Sequence, residues 1–156
     1  MKILSKQKNS RMCMICGLDN EYGVNAPFYN MEDGSVMTVF RYKEQHQSYP
    51  GRVHGGMITA MLDEMGLRSL WAKELSEETF GVTISLDTKY RKPVPYETEL
   101  IGRGVVVKNT SHFIITDSYI MDKDGEILAN GRIKYIKMDT QKIQEGVEVH
   151  EEMPYL

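Results

Sequence analysis

The pattern of hydrophobic positions changes along this chain, and the change separates one helix from the strands around it. Over residues 57–72, apolar side chains cover most of a helical circumference instead of forming one stripe. A helix that is apolar on most of its sides is a buried helix. At about 1.5 Å per residue it is roughly 24 Å long, too short and too charged to span a bilayer. The pattern therefore predicts a central helix that other elements must cover.

Segments rich in Val, Ile, Thr, Phe and Tyr lie on both sides of this helix, and they predict β-strands. Before the helix, residues 25–31 and 35–42 flank Glu32-Asp33-Gly34, a sequence typical of a hairpin turn. One helix packed on one antiparallel sheet gives an α+β fold in which the strands curl around the helix. After the helix, strands are predicted over residues 81–90, 99–108, 113–121 and 126–138.

The remaining segments show no such period. Residues 1–12 are polar and basic and are expected to form a flexible N-terminal arm, and residues 43–51 a loop. The acidic C-terminal tail, residues 139–156, is given no predicted structure. A single domain is expected over residues 13–138. Because a single sheet leaves an edge strand unpaired, we predict that two copies of the chain associate as a homodimer.

The net charge of the chain argues against a nucleic acid as its partner. The 156 residues carry a net charge of -3 with a pI near 5.8, whereas a dedicated nucleic-acid-binding protein usually has a basic surplus or a basic block. No segment has the apolar length of a signal peptide or a membrane span. We therefore expect a soluble, cytoplasmic protein with neither a nucleic acid nor a membrane as partner.

The two cysteines, Cys13 and Cys16, have the C-x-x-C spacing of half a tetrahedral zinc site. Zinc needs two further ligands, and the sequence offers no second pair. In a reducing compartment the two side chains would remain thiols. A tight turn with small packed side chains is therefore favoured, and no metal is expected.

Candidate chemistry concentrates where a glycine-rich loop enters the helix. His54-Gly55-Gly56 directly precedes it, and free N–H groups at a helix start, with the positive end of the dipole behind them, can bind an anion or stabilise an oxyanion. Asp63 lies two turns later and has no cation at helical spacing. An unpaired carboxylate in an apolar helix is costly unless it is used, although a distant arginine could also pair with it. This arrangement fits attack on a carbonyl.

Two neighbours of Asp63 have simpler interpretations. Glu64 precedes Arg68 by four residues, which is the spacing of an ordinary helical ion pair, and we expect that pair to be solvated. The face that carries Asp63 otherwise holds small residues, so it should leave room for a ligand or another chain. The small residues of this face are Gly56, Thr59, Ala60 and Gly66.

These motifs together resemble the hotdog-fold acyl-CoA thioesterases of the PaaI type, over roughly residues 13–138. The spacing from His54 to Asp63 is the most specific part of the resemblance. Further matching strings are Gly81-Val82-Thr83, Tyr90-Arg91-Lys92-Pro93 and Cys13-x-x-Cys16-Gly17-x-x-Asn20-x-x-Gly23. The resemblance implies a hotdog fold, dimers or dimers of dimers, and active sites shared between protomers.

The resemblance also implies roles for individual residues in hydrolysis of an acyl-CoA thioester. Asp63 would activate water or attack the thioester carbon itself. The amides of Gly55 and Gly56 would hold the carbonyl oxygen, His54 would help to place it, and Thr83 of the partner subunit would orient water. Substrate contacts are expected from Gln47, Ser48, Tyr90, Arg91 and Lys108.

One departure from the family pattern concerns the loop before the helix. Many members have an asparagine six residues before the histidine, where this chain has Ser48 beside Gln47, so either side chain would have to replace that contact. No cofactor is expected, since coenzyme A enters as part of the substrate. Two alternatives stay open: hydration or dehydration of an acyl thioester, and a non-catalytic acyl-CoA-binding module.

Overall fold

The computed structural model describes residues 1–75 and 79–138, in which a long helix lies against an antiparallel sheet. The helix, α1, spans Gly55–Glu74. The strands are β1 (Ile3–Lys6), β2 (Tyr29–Met31), β3 (Val36–Phe40), β4 (Gln47–Tyr49), β5 (Arg52–Val53), β6 (Phe80–Tyr90), β7 (Leu100–Asn109), β8 (Phe113–Met121) and β9 (Ile127–Met138). A 3₁₀ turn lies at Glu44–His46.

Seven strands form the main sheet in the order β1-β2-β3-β7-β8-β9-β6, and β4 pairs with β5 in a small separate hairpin. The helix packs on the middle strands β7, β8 and β9. Its side chains Met61, Leu62 and Met65 are fully buried. This is the arrangement implied by the hotdog resemblance, and the predicted α+β fold is confirmed.

The predicted elements after residue 13 are largely confirmed. The helix extends two residues beyond the predicted range at each end, and the predicted strand 113–121 coincides with β8. The predicted loop 43–51 contains the 3₁₀ turn and β4 instead of being irregular throughout. The C-terminal tail, residues 139–156, lies outside the described residues. Among the described residues, no helix combines the length and apolarity that a membrane crossing requires.

The prediction of a flexible arm over residues 1–12 is wrong. β1 pairs with β2, and two side chains just after it, Gln7 and Asn9, are each only 2% exposed. Gln7 Nε2 donates to Asn30 Oδ1 at 2.7 Å and to the Arg68 carbonyl oxygen at 2.9 Å. Polar side chains can be buried when their donors find acceptors, so a polar sequence does not require a solvated segment.

The expectation of a solvated Glu64–Arg68 pair is also wrong. Arg68 Nε lies 2.6 Å from Glu64 Oε1, but the Arg68 residue is only 3% exposed. Its guanidinium also donates to Gln7 Oε1 at 3.1 Å and stacks 4.3 Å from the centre of the Phe28 ring. The pair therefore anchors the N-terminal segment to α1 from within the protein.

Strand β6 ends the sheet, so one of its edges has no neighbour among the strands that the structure describes. The apolar side chains Val82 and Ile84 are 46% and 49% exposed on it. An edge strand with exposed apolar side chains is a ready surface for pairing with another strand. Association of two copies stays a prediction, and β6 offers one edge for it.

Candidate active site

Asp63 and Thr83 meet within one chain. Thr83 Oγ1, on β6, donates to Asp63 Oδ1 at 2.9 Å. Partial burial raises the pKa of Asp63 above its ordinary value of 3.8, and the hydrogen bond from Thr83 opposes that rise. Thr83 thus contacts the Asp63 of its own chain, and the predicted contribution of a partner subunit's Thr83 stays a prediction.

Tyr135, on β9, supports the backbone at Asp63. Its hydroxyl donates to the Asp63 carbonyl oxygen at 2.6 Å. A methyl group at Gly66 would lie 2.1 Å from the Tyr135 hydroxyl oxygen and 2.6 Å from Thr116 Oγ1. The small face of the helix is predicted to leave room for a ligand or another chain, but at Gly66 the chain's own Tyr135 fills that room. Sequence reasoning missed Tyr135, which lies 72 residues away from Asp63 and belongs to no motif.

The start of α1 is held by His54 and Tyr90. The Gly56 N–H donates to His54 Nδ1 at 2.9 Å, so His54 is the N-cap, while the N–H groups of the next two residues bond to its carbonyl oxygen. The Tyr90 hydroxyl donates to the Gly55 carbonyl oxygen at 3.1 Å and lies 2.7 Å from Thr59 Oγ1. The predicted residues His54, Gly55, Gly56 and Tyr90 therefore do come together.

Within a single chain, the helix start lies far from Asp63. Gly56 and Asp63 are seven residues apart on the same helix, which corresponds to about 10 Å along its axis. Oxyanion donors must approach to about 3 Å from the oxygen that they stabilise. The arrangement expected from the sequence, with Asp63 and the glycine amides of one chain on one carbonyl, would have to span that separation and stays a prediction.

Strand β6 contacts both Asp63 and the helix start, which we call the two half-sites. Thr83, near its beginning, contacts Asp63, and Tyr90, at its end, contacts Gly55. Helix and strand thus run in opposite directions beside each other, with one half-site at each end of the strand. The first half-site supplies a carboxylate, and the second supplies the positive end of the helix.

A pocket of about 390 Å³ lies beside the helix start and collects three cationic side chains, those of Arg52, Arg91 and Lys92. Sequence reasoning missed Arg52, although it lies inside the glycine-rich stretch itself. Asp63 does not line this pocket. The lining consists of Ser48, Tyr49, Arg52, Val53, Gly55, Ile58, Tyr90, Arg91, Lys92, Pro93 and Val94.

Of the remaining predicted substrate contacts, Gln47 lies next to the pocket and Lys108 lies far from it. Gln47 is exposed on β4 and pairs through its backbone with Val53, next to the pocket but outside its lining. Lys108 lies near the end of β7, and its ammonium group is 5.3 Å from the centre of the Phe113 ring. The sheet register places that part of β7 at the opposite end of the sheet from Tyr90, so Lys108 does not join the pocket.

A family model and the similar known proteins all indicate the same family. The model of the thioesterase superfamily matches residues 50–129, which include the helix start, Asp63 and Thr83. Acyl-coenzyme A thioesterase THEM4 of Rattus norvegicus is 25% identical over 140 residues, covering 89% of this chain and 57% of that protein. Acyl-coenzyme A thioesterase 13 of Homo sapiens is 23% identical over 100 residues, covering 64% of this chain and 70% of that protein. The chain spans little more than half the length of THEM4.

Solved structures share the fold. Protein RHA08564, a thioesterase superfamily protein, superposes with a TM-score of 0.71 at 26% identity, covering 80% of this chain and 63% of that one. A hypothetical thioesterase protein from Streptococcus pneumoniae TIGR4, solved with coenzyme A, has a TM-score of 0.65 at 19% identity, covering 74% of this chain and 90% of that one.

Proposed function

We propose that this chain, which belongs to the thioesterase superfamily, hydrolyses acyl-CoA thioesters to a free acid and coenzyme A. The observation that carries the proposal is the half-buried Asp63 carboxylate, oriented by Thr83 on a strand whose outer edge is free among the described strands. Relatives named as acyl-coenzyme A thioesterases support the substrate class.

The active site combines two chains. Antiparallel pairing of two β6 edges about a twofold axis brings the beginning of one strand to the end of the other. Asp63 of one chain then faces the helix start of the second chain, at the end marked by Tyr90. The exposed apolar side chains on β6 favour this association. A homodimer, alone or within a dimer of dimers, would hold two such sites.

Each site divides the chemistry between its halves. The thioester carbonyl oxygen accepts hydrogen bonds at the helix start of one chain, where it replaces His54 Nδ1 as the partner of the Gly56 N–H. Asp63 of the other chain removes a proton from water, which attacks the carbonyl carbon, or attacks that carbon itself. The C–S bond then breaks, and coenzyme A leaves as its thiol with the proton that Asp63 took from water. If Asp63 itself attacks the carbon, the thiolate leaves and takes a proton from solvent, and water then hydrolyses the acyl–Asp63 anhydride to the free acid and restores the carboxylate. Thr83 donates to one Asp63 oxygen and leaves the second oxygen for this step.

The cationic pocket suits the phosphates of coenzyme A. Arg52, Arg91 and Lys92 surround it beside the helix start, and guanidinium groups bind phosphate oxygens in pairs. Arg91 Nε is positioned by Asn130 Oδ1 at 2.6 Å, and Lys92 pairs with Glu126. A structural neighbour solved with coenzyme A is consistent with this use of the fold.

The test is replacement of the carboxylate. Asp63→Asn should lower hydrolysis of acyl-CoA esters by about 10²–10⁴-fold, the usual effect of losing a general base. Short, long and aromatic acyl-CoA esters would be assayed by release of free thiol, with Asp124→Asn in the exposed β8–β9 turn as the matched control. Thermal unfolding of both variants would establish that they are folded. Full activity of Asp63→Asn contradicts the proposed mechanism.

The same panel separates the two alternatives. Turnover of an enoyl-CoA or 3-hydroxyacyl-CoA without release of thiol would replace hydrolysis by hydration or dehydration. Tight binding of acyl-CoA with no turnover of any ester would instead indicate a binding module. Either result overturns the proposed hydrolysis.

A further inference from the structure

A second group of reactive side chains lies around Glu64, the helix residue that follows Asp63. The sulfur atoms of Cys13 and Cys16 and a carboxylate oxygen of Glu64 all lie within 4.8 Å of one another. Glu64 is 48 residues from Cys16 in the sequence, so the C-x-x-C pair alone could not identify it as a third ligand. None of these side chains has a role in the proposed hydrolysis.

The cysteine loop presents its sulfur atoms in a defined way. The backbone N–H groups of Ile15 and Cys16 both point at Cys13 Sγ, at 3.3 and 3.4 Å, and Ser10 Oγ lies 3.3 Å from Cys16 Sγ. Backbone N–H donors aimed at a sulfur atom are the kind of outer contact that orients a metal-binding side chain. The loop therefore offers two sulfur ligands whose hydrogen-bond partners are already in place.

The loop is fixed by Gly17 and Asn9. The Gly17 N–H donates to the Cys13 carbonyl oxygen at 2.8 Å, and a methyl group at Gly17 would lie 2.4 Å from that oxygen. The buried Asn9 side chain donates to the Cys16 carbonyl oxygen at 2.7 Å. Both contacts hold the two cysteines on the same side of the turn, facing α1.

Charge and burial at this group suit a cation. Cys16 is only 2% exposed, and the Glu64 side chain is 24% exposed. Two thiolates and one carboxylate would carry three negative charges, which a divalent cation and Arg68 together would neutralise. Arg68, 2.6 Å from Glu64, would then hold the carboxylate in the orientation that the cation needs.

We propose that Cys13, Cys16 and Glu64 form a binding site for one divalent metal ion, and that zinc is the ion that these ligands suit. Two thiolates and a carboxylate are zinc ligands, and a fourth tetrahedral position would be left to water at the half-exposed Cys13. Binding would release the thiol protons and tie the cysteine loop to α1. This proposal is independent of the proposed thioesterase activity.

The experiment uses the full chain, stripped of metal with a chelator under reducing conditions and titrated with Zn²⁺ alone. We expect about one zinc ion to bind per chain and to raise the midpoint of thermal unfolding, whereas Mg²⁺ should not. Co²⁺ in place of Zn²⁺ should give a thiolate-to-metal charge-transfer band. These readouts do not depend on enzyme activity.

Substitutions assign the ligands. Cys13→Ser, Cys16→Ser and Glu64→Gln should each weaken zinc binding at least about tenfold, while Glu74→Gln at the C-terminal end of α1 should not. If Glu64→Gln fails to fold, the cysteine variants and the Co²⁺ spectrum of the unsubstituted chain still decide the question. Equal zinc binding by Cys13→Ser overturns the site. So does a chain that binds no zinc and instead forms a Cys13–Cys16 disulfide with oxidised glutathione.

Discussion

Gly66 illustrates how one residue leaves room for the contact that holds the backbone at Asp63. An alanine in a helix interior is usually favoured over glycine by about 1 kcal/mol. Here the added methyl group would lie 2.1 Å from the Tyr135 hydroxyl oxygen, which holds the Asp63 carbonyl oxygen. Overpacking in a closed core usually costs about 1–3 kcal/mol, so the steric cost should exceed the gain in helix propensity.

We therefore predict that Gly66→Ala lowers the free energy of unfolding by about 1–3 kcal/mol, measured by equilibrium urea denaturation. Because the clash is with a hydroxyl group, combining Gly66→Ala with Tyr135→Phe should cost less than the sum of the two single substitutions. Additive costs would place the clash at Thr116 Oγ1 instead, and a Gly66→Ala variant as stable as the unsubstituted chain would show that Tyr135 moves aside freely.

At the scale of elements, the turn between β2 and β3 is stabilised by a carboxylate. Asp33 Oδ1 accepts from the Ser35 hydroxyl at 2.6 Å and from the Ser35 N–H at 3.0 Å. Its other oxygen lies 2.6 Å from Arg103 Nη2, on β7. The bonds from Ser35, together with Arg103, lower the pKa of Asp33 below its ordinary value of 3.8. The turn is thereby connected to the neighbouring strand as well as closed.

The lowered pKa of Asp33 gives a pH dependence with a definite sign. The charged carboxylate is favoured in the folded state, so its contribution to stability is present above pH 3.8 and is lost as the pH falls through the lower, folded-state pKa. We predict that Asp33→Asn lowers the unfolding midpoint at pH 7 and that the difference from the unsubstituted chain shrinks under acid. Thermal unfolding from neutral to acid pH measures this. A difference independent of pH would contradict the assignment to the charged form.

The elements that sequence reasoning predicts are those whose burial is apolar and periodic. The helix over 57–72 and the strand over 113–121 are predictable because the helix is apolar on most of its sides and β8 buries alternate side chains. β1 is exposed at every position, and the segment after it is held by Gln7, whose partners lie 23 and 61 residues away. Burial through distant hydrogen bonds leaves no period in the sequence, which is why the polar residues 1–12 resemble a flexible arm.

At the scale of the whole molecule, the sequence identifies candidate residues but not their grouping. His54, Gly55, Gly56 and Asp63 lie close together along the chain, and closeness in sequence suggests a single site. The rise of an α-helix instead separates Gly56 from Asp63 by about 10 Å. Thr83 and Tyr90 come to these two places from one strand, an arrangement that depends on the pairing of β6 with β9. That separation is the reason for proposing a site shared by two chains.

Complementation between two inactive variants tests the shared site. Asp63→Asn removes the carboxylate, and Gly56→Pro removes an N–H at the helix start, where proline is tolerated because that N–H has no acceptor within the helix. In a randomly exchanged mixture, half of the dimers would contain one chain of each kind. Each such dimer would have one intact site, so thiol release should recover to about a quarter of the unsubstituted activity.

A site within one chain and a site shared by two chains predict different activities for this mixture. If carboxylate and helix start acted within one chain, every chain in the mixture would carry a defective site, and mixing would restore nothing. If the chains did not associate through β6, placing lysine at the exposed positions Val82 and Ile84 would leave the recovery unchanged. We expect those lysine substitutions to abolish recovery and to yield monomers by sedimentation, because charged edge strands resist pairing. Should Gly56→Pro fail to fold, Gly55→Pro takes its place in the mixture, because it removes the N–H of the first helical residue, where proline is favoured.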